Sequence, residues 1–137
     1  MKTVIITVIV LCIPAFIWAG NTRVYPNGYD TVFDVVIESL EDAGYAVIEE
    51  NRETGLIRTD YQAKSNFLGM ARRKWTVRVK DVSDGTEVRA ICSGGAKAST
   101  FTATALDVRG EGWDEMSDKN KRKVTAAFFK YLDKKLK

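Results

Sequence analysis

Lys74-Trp75-Thr76-Val77-Arg78-Val79-Lys80-Asp81-Val82 runs into Ser83-Asp84-Gly85 and then Thr86-Glu87-Val88-Arg89-Ala90-Ile91-Cys92. In the first run Trp75, Val77 and Val79 alternate with Thr76, Arg78 and Lys80, which predicts a strand with one buried and one wet face. Ser83-Asp84-Gly85 is a turn signal, so the run from Thr86 to Cys92 reads as the returning strand. Val88, Ala90 and Cys92 share one parity on it, which makes Cys92 a small buried hydrophobe rather than a reactive thiol.

Working outward, Tyr45 to Glu50 and Leu56 to Tyr61 are β-rich runs joined by the polar loop Asn51-Arg52-Glu53-Thr54-Gly55, the pattern of a second hairpin. A threonine-rich run from Ser99 to Val108 is expected to add a strand, and Val24-Tyr25 a short leading one. Two helices flank these strands. The first is expected to start at Asp30-Thr31, with Thr31 and Asp34 as a capping box, to place Phe33, Val36, Ile37 and Leu40 on one side, and to end at Gly44. The second is expected from the N-cap Ser117 to the C-terminus, with Val124, Ala127, Phe128, Tyr131 and Leu132 as its apolar stripe and Trp113 packed just before it. Helices around an antiparallel meander imply an α+β fold: a two-layer sandwich, with a sheet of four to five strands and both helices on one face.

At 137 residues, 45% hydrophobic and 28% charged, the chain is globular. Residues 1–19 have the order of a secretory leader. Lys2 is a minimal positive region, Val4 to Ile13 is apolar but for Thr7, and Pro14 precedes the small residues Ala19 and Gly20. Cleavage after Ala19, or alternatively after Gly20, leaves residues 20–137 as a single domain in the periplasm or outside the cell. An uncleaved membrane anchor is the competing reading. A lipid anchor is not expected, because Leu11 precedes Cys12 where lipoprotein processing needs a small residue. Without Cys12, Cys92 is the single cysteine of the mature chain, which excludes an intramolecular disulfide.

The sequence contains no histidine. That removes serine–histidine and cysteine–histidine nucleophile pairs and histidine zinc sites together. The acidic groups Glu49-Glu50 and Glu111, Asp114 and Glu115 lack the glycine-punctuated spacing of an oxygen-ligand cation site. No metal, cofactor or catalytic residue is expected, and an exported chain is not expected to meet nucleic acid.

Tyr29-Asp30-Thr31-Val32-Phe33, then Leu40-Glu41-Asp42-Ala43-Gly44-Tyr45, then Asn51 to Gly55 and Leu56-Ile57-Arg58-Thr59, resembles small bacterial envelope domains of helix-grip type. Among these is the C-type lipoprotein of the outer-membrane β-barrel assembly machinery. The resemblance covers residues 24–92 and implies a helix-grip-like fold. It carries no catalytic residues, and the chain departs from that family in its lipidation signal.

Two segments are candidate binding surfaces. Phe67, Leu68 and Met70, followed by Arg72, Arg73 and Lys74, place apolar and basic groups together in what reads as a loop between strands, suited to an anionic membrane surface or a partner protein. The competing reading folds the apolar residues back as a cap on the sheet. The C-terminal helix is the second: Ser117 to Lys137 carries eight basic residues against Asp118 and Asp133, and Lys123, Lys130, Lys134 and Lys137 fall on one flank. The expected function is that of an exported, non-enzymatic envelope protein that binds or scaffolds another envelope component. The alternative is a small ligand-binding module or hydrolase using a helix–sheet cleft lined by Tyr61, Arg78 and Arg89. Mass spectrometry of chain exported by a bacterial host is expected to find the N-terminus at Gly20 or Asn21 without lipid; full-length chain or a diacylated Cys12 would refute the leader.

Overall fold

A computed structural model describes residues 21–66, 69–98 and 113–137. The leader, the strand expected over 99–108, Phe67 and Leu68 lie outside the described residues. The elements in chain order are β1 (Thr22–Tyr25), α1 (Tyr29–Asp42), β2 (Val47–Asn51), β3 (Leu56–Thr59), β4 (Gln62–Asn66), β5 (Gly69–Val82), β6 (Gly85–Ala98), β7 (Asp114–Glu115) and α2 (Asp118–Lys135). The fold is α+β, with an open antiparallel sheet.

Among the described residues the sheet contains seven strands, not the four to five expected. Its path is β1-β6-β5-β3-β2, and β4 and β7 add to β5 and β6 respectively. The excess comes from columns shared by two segments: β3 and β4 pair with successive parts of β5, and β1 and β7 with successive parts of β6. Where β5 passes from β3 to β4 the backbone ladder misses a step, and the Thr59 hydroxyl accepts the Trp75 N–H at 2.9 Å. That bond keeps a buried donor satisfied at the break.

The central hairpin is the longest element. β5 and β6 are 14 residues each, paired without a break from Val82↔Gly85 to Gly69↔Ala98. Both strands run past the ends expected at Lys74 and Cys92. The continuation was masked by Gly94 and Gly95, which carry no side chain to show a period. A Cβ at Gly94 would lie 2.2 Å from the Arg72 carbonyl oxygen, and one at Gly95 2.3 Å from that of Asp114, so backbone occupies the space a side chain would need. Residues 69–74 therefore form strand rather than loop. In the β2–β3 connection Gly55 has φ +74° and accepts the Val79 N–H at 2.8 Å; a Cβ there would meet the Val79 carbonyl.

Trp75, Val77, Val79, Val88, Ala90 and Cys92 form a buried stripe on one face of this hairpin, with Ile57 beside them on β3. They share one core with Val32, Phe33, Val36 and Leu40 of α1 and Phe129, Leu132 and Leu136 at the end of the chain. α1 begins at Tyr29, one residue before the Asp30-Thr31 start that the sequence suggests, with Gly28 as N-cap and no side-chain cap. Tyr29 stacks on Phe33 with ring centroids 5.9 Å apart and donates to the Arg52 carbonyl, which draws this extra residue into the helix. Thr31 and Asp34 do not form a capping box; Asp34 instead pairs with Arg52 at 2.6 Å. Gly44, at φ +89°, ends the helix as expected.

α2 starts at the expected N-cap, Ser117 accepting from the Asn120 N–H at 3.3 Å. Its buried residues are Thr125, Phe129 and Leu132, so the core-facing side is rotated from the expected stripe. Thr125 is admitted to the core because its hydroxyl donates to the Lys121 carbonyl at 2.7 Å. Ala127 and Tyr131 are exposed, and Val124 and Phe128 are half-buried against the core. An ion pair between Arg23 and Asp133 and a 2.9 Å hydrogen bond from the Tyr25 hydroxyl to Asp133 fasten the end of α2 to β1.

Trp75 is 3% exposed, edge-on to Tyr45 and 4.8 Å from Phe128, so it ties the sheet to both helical regions. Trp75→Ala is expected to lower stability by about 3–5 kcal/mol, and thermal unfolding checks this; a shift of a degree or two would contradict the burial. Cys92 is free and 4% exposed, and burial pushes its thiol up to about 11, against the weaker opposing pull of Arg73 and Lys121. With so little thiolate, alkylation by iodoacetamide near pH 8 is expected to run roughly a hundredfold slower in the folded than in the urea-unfolded chain.

Candidate functional site

Strand geometry sends alternate side chains to opposite faces, so burying Trp75, Val77 and Val79 turns Arg72, Lys74, Thr76, Arg78 and Lys80 to the other side. The register adds Glu87, Arg89 and Ile91 from β6 to that side, as Lys80↔Glu87, Arg78↔Arg89 and Thr76↔Ile91, and Arg58 from β3 opposite Thr76. No described helix covers this face. Ile91 is 48% exposed, and Arg78, Lys80 and Arg89 are exposed.

Arg78 and Arg89 are directly opposite partners on a single face. Like charges so placed destabilise a sheet unless a counter-charge intervenes. Arg58 has one, Glu49 at 3.0 Å. Among the described residues neither Arg78 nor Arg89 forms an ion pair. Both line an open depression of about 790 Å³ at the end of β3, with Tyr29, Arg52, Lys80, Asp81 and Glu87 around them. Arg52 is already committed: it pairs with Asp30 at 3.1 Å and Asp34 at 2.6 Å and lies 4.5 Å over the Phe33 ring. Those two carboxylates raise its guanidinium above the ordinary arginine range.

Farther along the same face the cations meet aromatic rings. Arg72 lies 4.2 Å from the Tyr61 ring centroid and 4.7 Å from that of Trp113, and the Lys74 ammonium is 4.8 Å from Tyr61. These cation–π contacts hold Arg72 and Lys74 against the sheet.

The basic run of the sequence is thus divided by its strand. Arg72 and Lys74 occupy the face opposite the helices, whereas exposed Arg73 lies on the helix side, near enough to Cys92 to act on its thiol. Met70 is half-buried and paired with Ser65 and Lys97. The cleft expected to be lined by Tyr61, Arg78 and Arg89 does not lie between helices and sheet, because parity puts both arginines on the opposite face. Lys123, Lys130 and Lys134 are exposed on the solvent pole of α2 rather than beside its core-facing residues, and Lys137 is exposed just past the end of the helix. They lie in the helix layer, across the sheet from Arg78 and Arg89.

Two lysines of α2 outside that cluster are the ones engaged. Lys121 binds Glu115 at 2.6 Å, and Lys135 binds Glu38 at 2.9 Å and Asp42 at 2.7 Å. Lys135, aided by the Tyr131 hydroxyl, holds the Asp42 carboxyl below the usual carboxylate range. The opposition of Arg78 and Arg89 could have been found from the sequence by counting back from a two-residue turn at Ser83-Asp84. Among the described residues no three His, Cys, Asp or Glu are grouped to hold a metal, and no helix is long and apolar enough to cross a membrane. No protein-family model matches the chain, and no curated protein matches it significantly.

Proposed function

We propose that the protein is an exported, non-enzymatic envelope protein whose sheet face opposite the helices binds an anionic membrane surface. The observation that carries this reading is the unneutralised Arg78–Arg89 pair on an open face that also bears Lys80, Arg58, Arg72 and Lys74. An anionic headgroup supplies the charge that the pair lacks, and two guanidinium forks suit phosphate oxygens. Export by the leader and a chain without histidine support an envelope role without acid–base chemistry. In the same reading the domain is a two-layer, helix-grip-like sandwich similar to the small domains of the β-barrel assembly lipoprotein.

Each basic residue near an anionic surface contributes about 1 kcal/mol, so removing two costs about thirtyfold in affinity. Arg78→Gln with Arg89→Gln is expected to weaken sedimentation with phosphatidylglycerol vesicles by about that factor while leaving weak binding to phosphatidylcholine vesicles unchanged. Binding of the parent is expected to vanish near 1 M salt, where the screening length is ~3 Å. The same double variant is expected to melt at or slightly above the parent temperature, since a repulsion is removed. Changing Lys123, Lys130, Lys134 and Lys137 together to Gln is the counter-test. If that variant loses binding and the arginine variant keeps it, the helix flank is the membrane surface and the sheet face is not.

A further inference from the structure

We propose that the depression around Arg78 and Arg89 selects a phosphomonoester on a lipid headgroup over the phosphodiester of an ordinary anionic lipid. This rests on the membrane reading above and names the headgroup that the same face prefers. Arg78 and Arg89 are register partners on one face of the β5–β6 hairpin, and both line the depression of about 790 Å³. Side chains directly opposite one another leave a sheet with Cβ atoms ~4.5–5.5 Å apart, close enough for two guanidinium forks to converge on one tetrahedral group.

The surroundings isolate this pair. One step along the hairpin Lys80 lies opposite Glu87, so those charges offset each other across the strands, and one step the other way Thr76 and Ile91 carry no charge. Arg52 on the wall is held by Asp30 and Asp34. Glu53, Asp81 and Glu87 also line the depression, yet among the described residues none of them forms an ion pair with either arginine. Their carboxylates confine the positive potential to Arg78 and Arg89, which favours one compact anion over an extended polyanion. The two arginines together carry two positive charges. A phosphomonoester near neutral pH carries close to two negative charges and three terminal oxygens, enough for each fork to be engaged. A phosphodiester has one charge and two terminal oxygens, so it leaves half of the pair's charge without a partner.

The test is sedimentation of the exported chain with phosphatidylcholine vesicles containing either phosphatidic acid or phosphatidylglycerol, mixed to equal zeta potential so that only the headgroup differs. The chain is expected to bind the phosphatidic acid vesicles about tenfold more tightly, the worth of one further charge-assisted hydrogen bond. Arg78→Lys with Arg89→Lys keeps the charge and removes the forks; it is expected to retain binding to phosphatidylglycerol and to lose the preference. At constant ionic strength, glycerol 3-phosphate is expected to displace the parent from phosphatidic acid vesicles, and the diester glycerophosphoglycerol is not. Equal binding to both vesicles overturns the monoester preference and leaves the membrane reading standing, whereas binding to neither overturns that reading as well. A preference that survives in the lysine variant overturns the arginine site. Saturable binding of glycerol 3-phosphate by a chain that ignores both vesicles overturns the lipid as the source of the phosphate.

Discussion

Ser83 and Asp84 close the β5–β6 hairpin, and the pairing then runs in step for the whole length of both strands. Everything else depends on that register. It places Trp75, Val77 and Val79 beside Cys92, Ala90 and Val88 on one face, giving the helices a continuous apolar floor. The same step places Arg78 against Arg89 on the other face. A slip of one residue would invert every side chain of one strand and bring charge into the core.

The helices close on that floor through apolar contact, and their positions are set by polar fastenings at their ends. Arg23 and Tyr25 hold Asp133, Lys135 spans to Glu38 and Asp42, and Arg52 holds the first turns of α1. Ion pairs as exposed as those of Arg52 add little to stability individually. Their effect is positional: joining α1 and α2 at Asp42, Tyr131 and Lys135 leaves an apolar groove between the helices rather than a closed seam.

Charge and apolar surface are therefore separated by the sheet. One side offers Arg78 and Arg89, which form no ion pair among the described residues; the other offers an apolar groove between the helices. The C-terminal helix, the most basic stretch of the chain, divides its own lysines between these roles. Lys121 and Lys135 are spent on Glu115, Glu38 and Asp42, and Lys123, Lys130, Lys134 and Lys137 remain in solvent.

By itself the sequence determined the elements whose signals are local. The alternation from Trp75 to Val79, the turn at Ser83-Asp84, the hairpin loop ending at Gly55, the stop at Gly44 and the N-cap at Ser117 each depend on neighbours a few residues away. It also determined that Cys92 is buried, because parity on a strand is a local property. Tertiary structure decided what depends on partners distant in the chain. The extension of β5 and β6 past Lys74 and Cys92 needed the close approach of Gly94 to Arg72 and of Gly95 to Asp114. The rotation of α2 was decided by a buried Thr125 that satisfies its own hydroxyl and by Phe129 lying under Arg23. The candidate sites depend on the same distant contacts. That Arg72, Arg73 and Lys74 are basic is written in the chain, but only a strand laid between β4 and β6 splits them across two faces. That Arg78 and Arg89 form no ion pair among the described residues likewise has no sequence signature, because whether a charge finds a partner is decided by what the fold brings beside it.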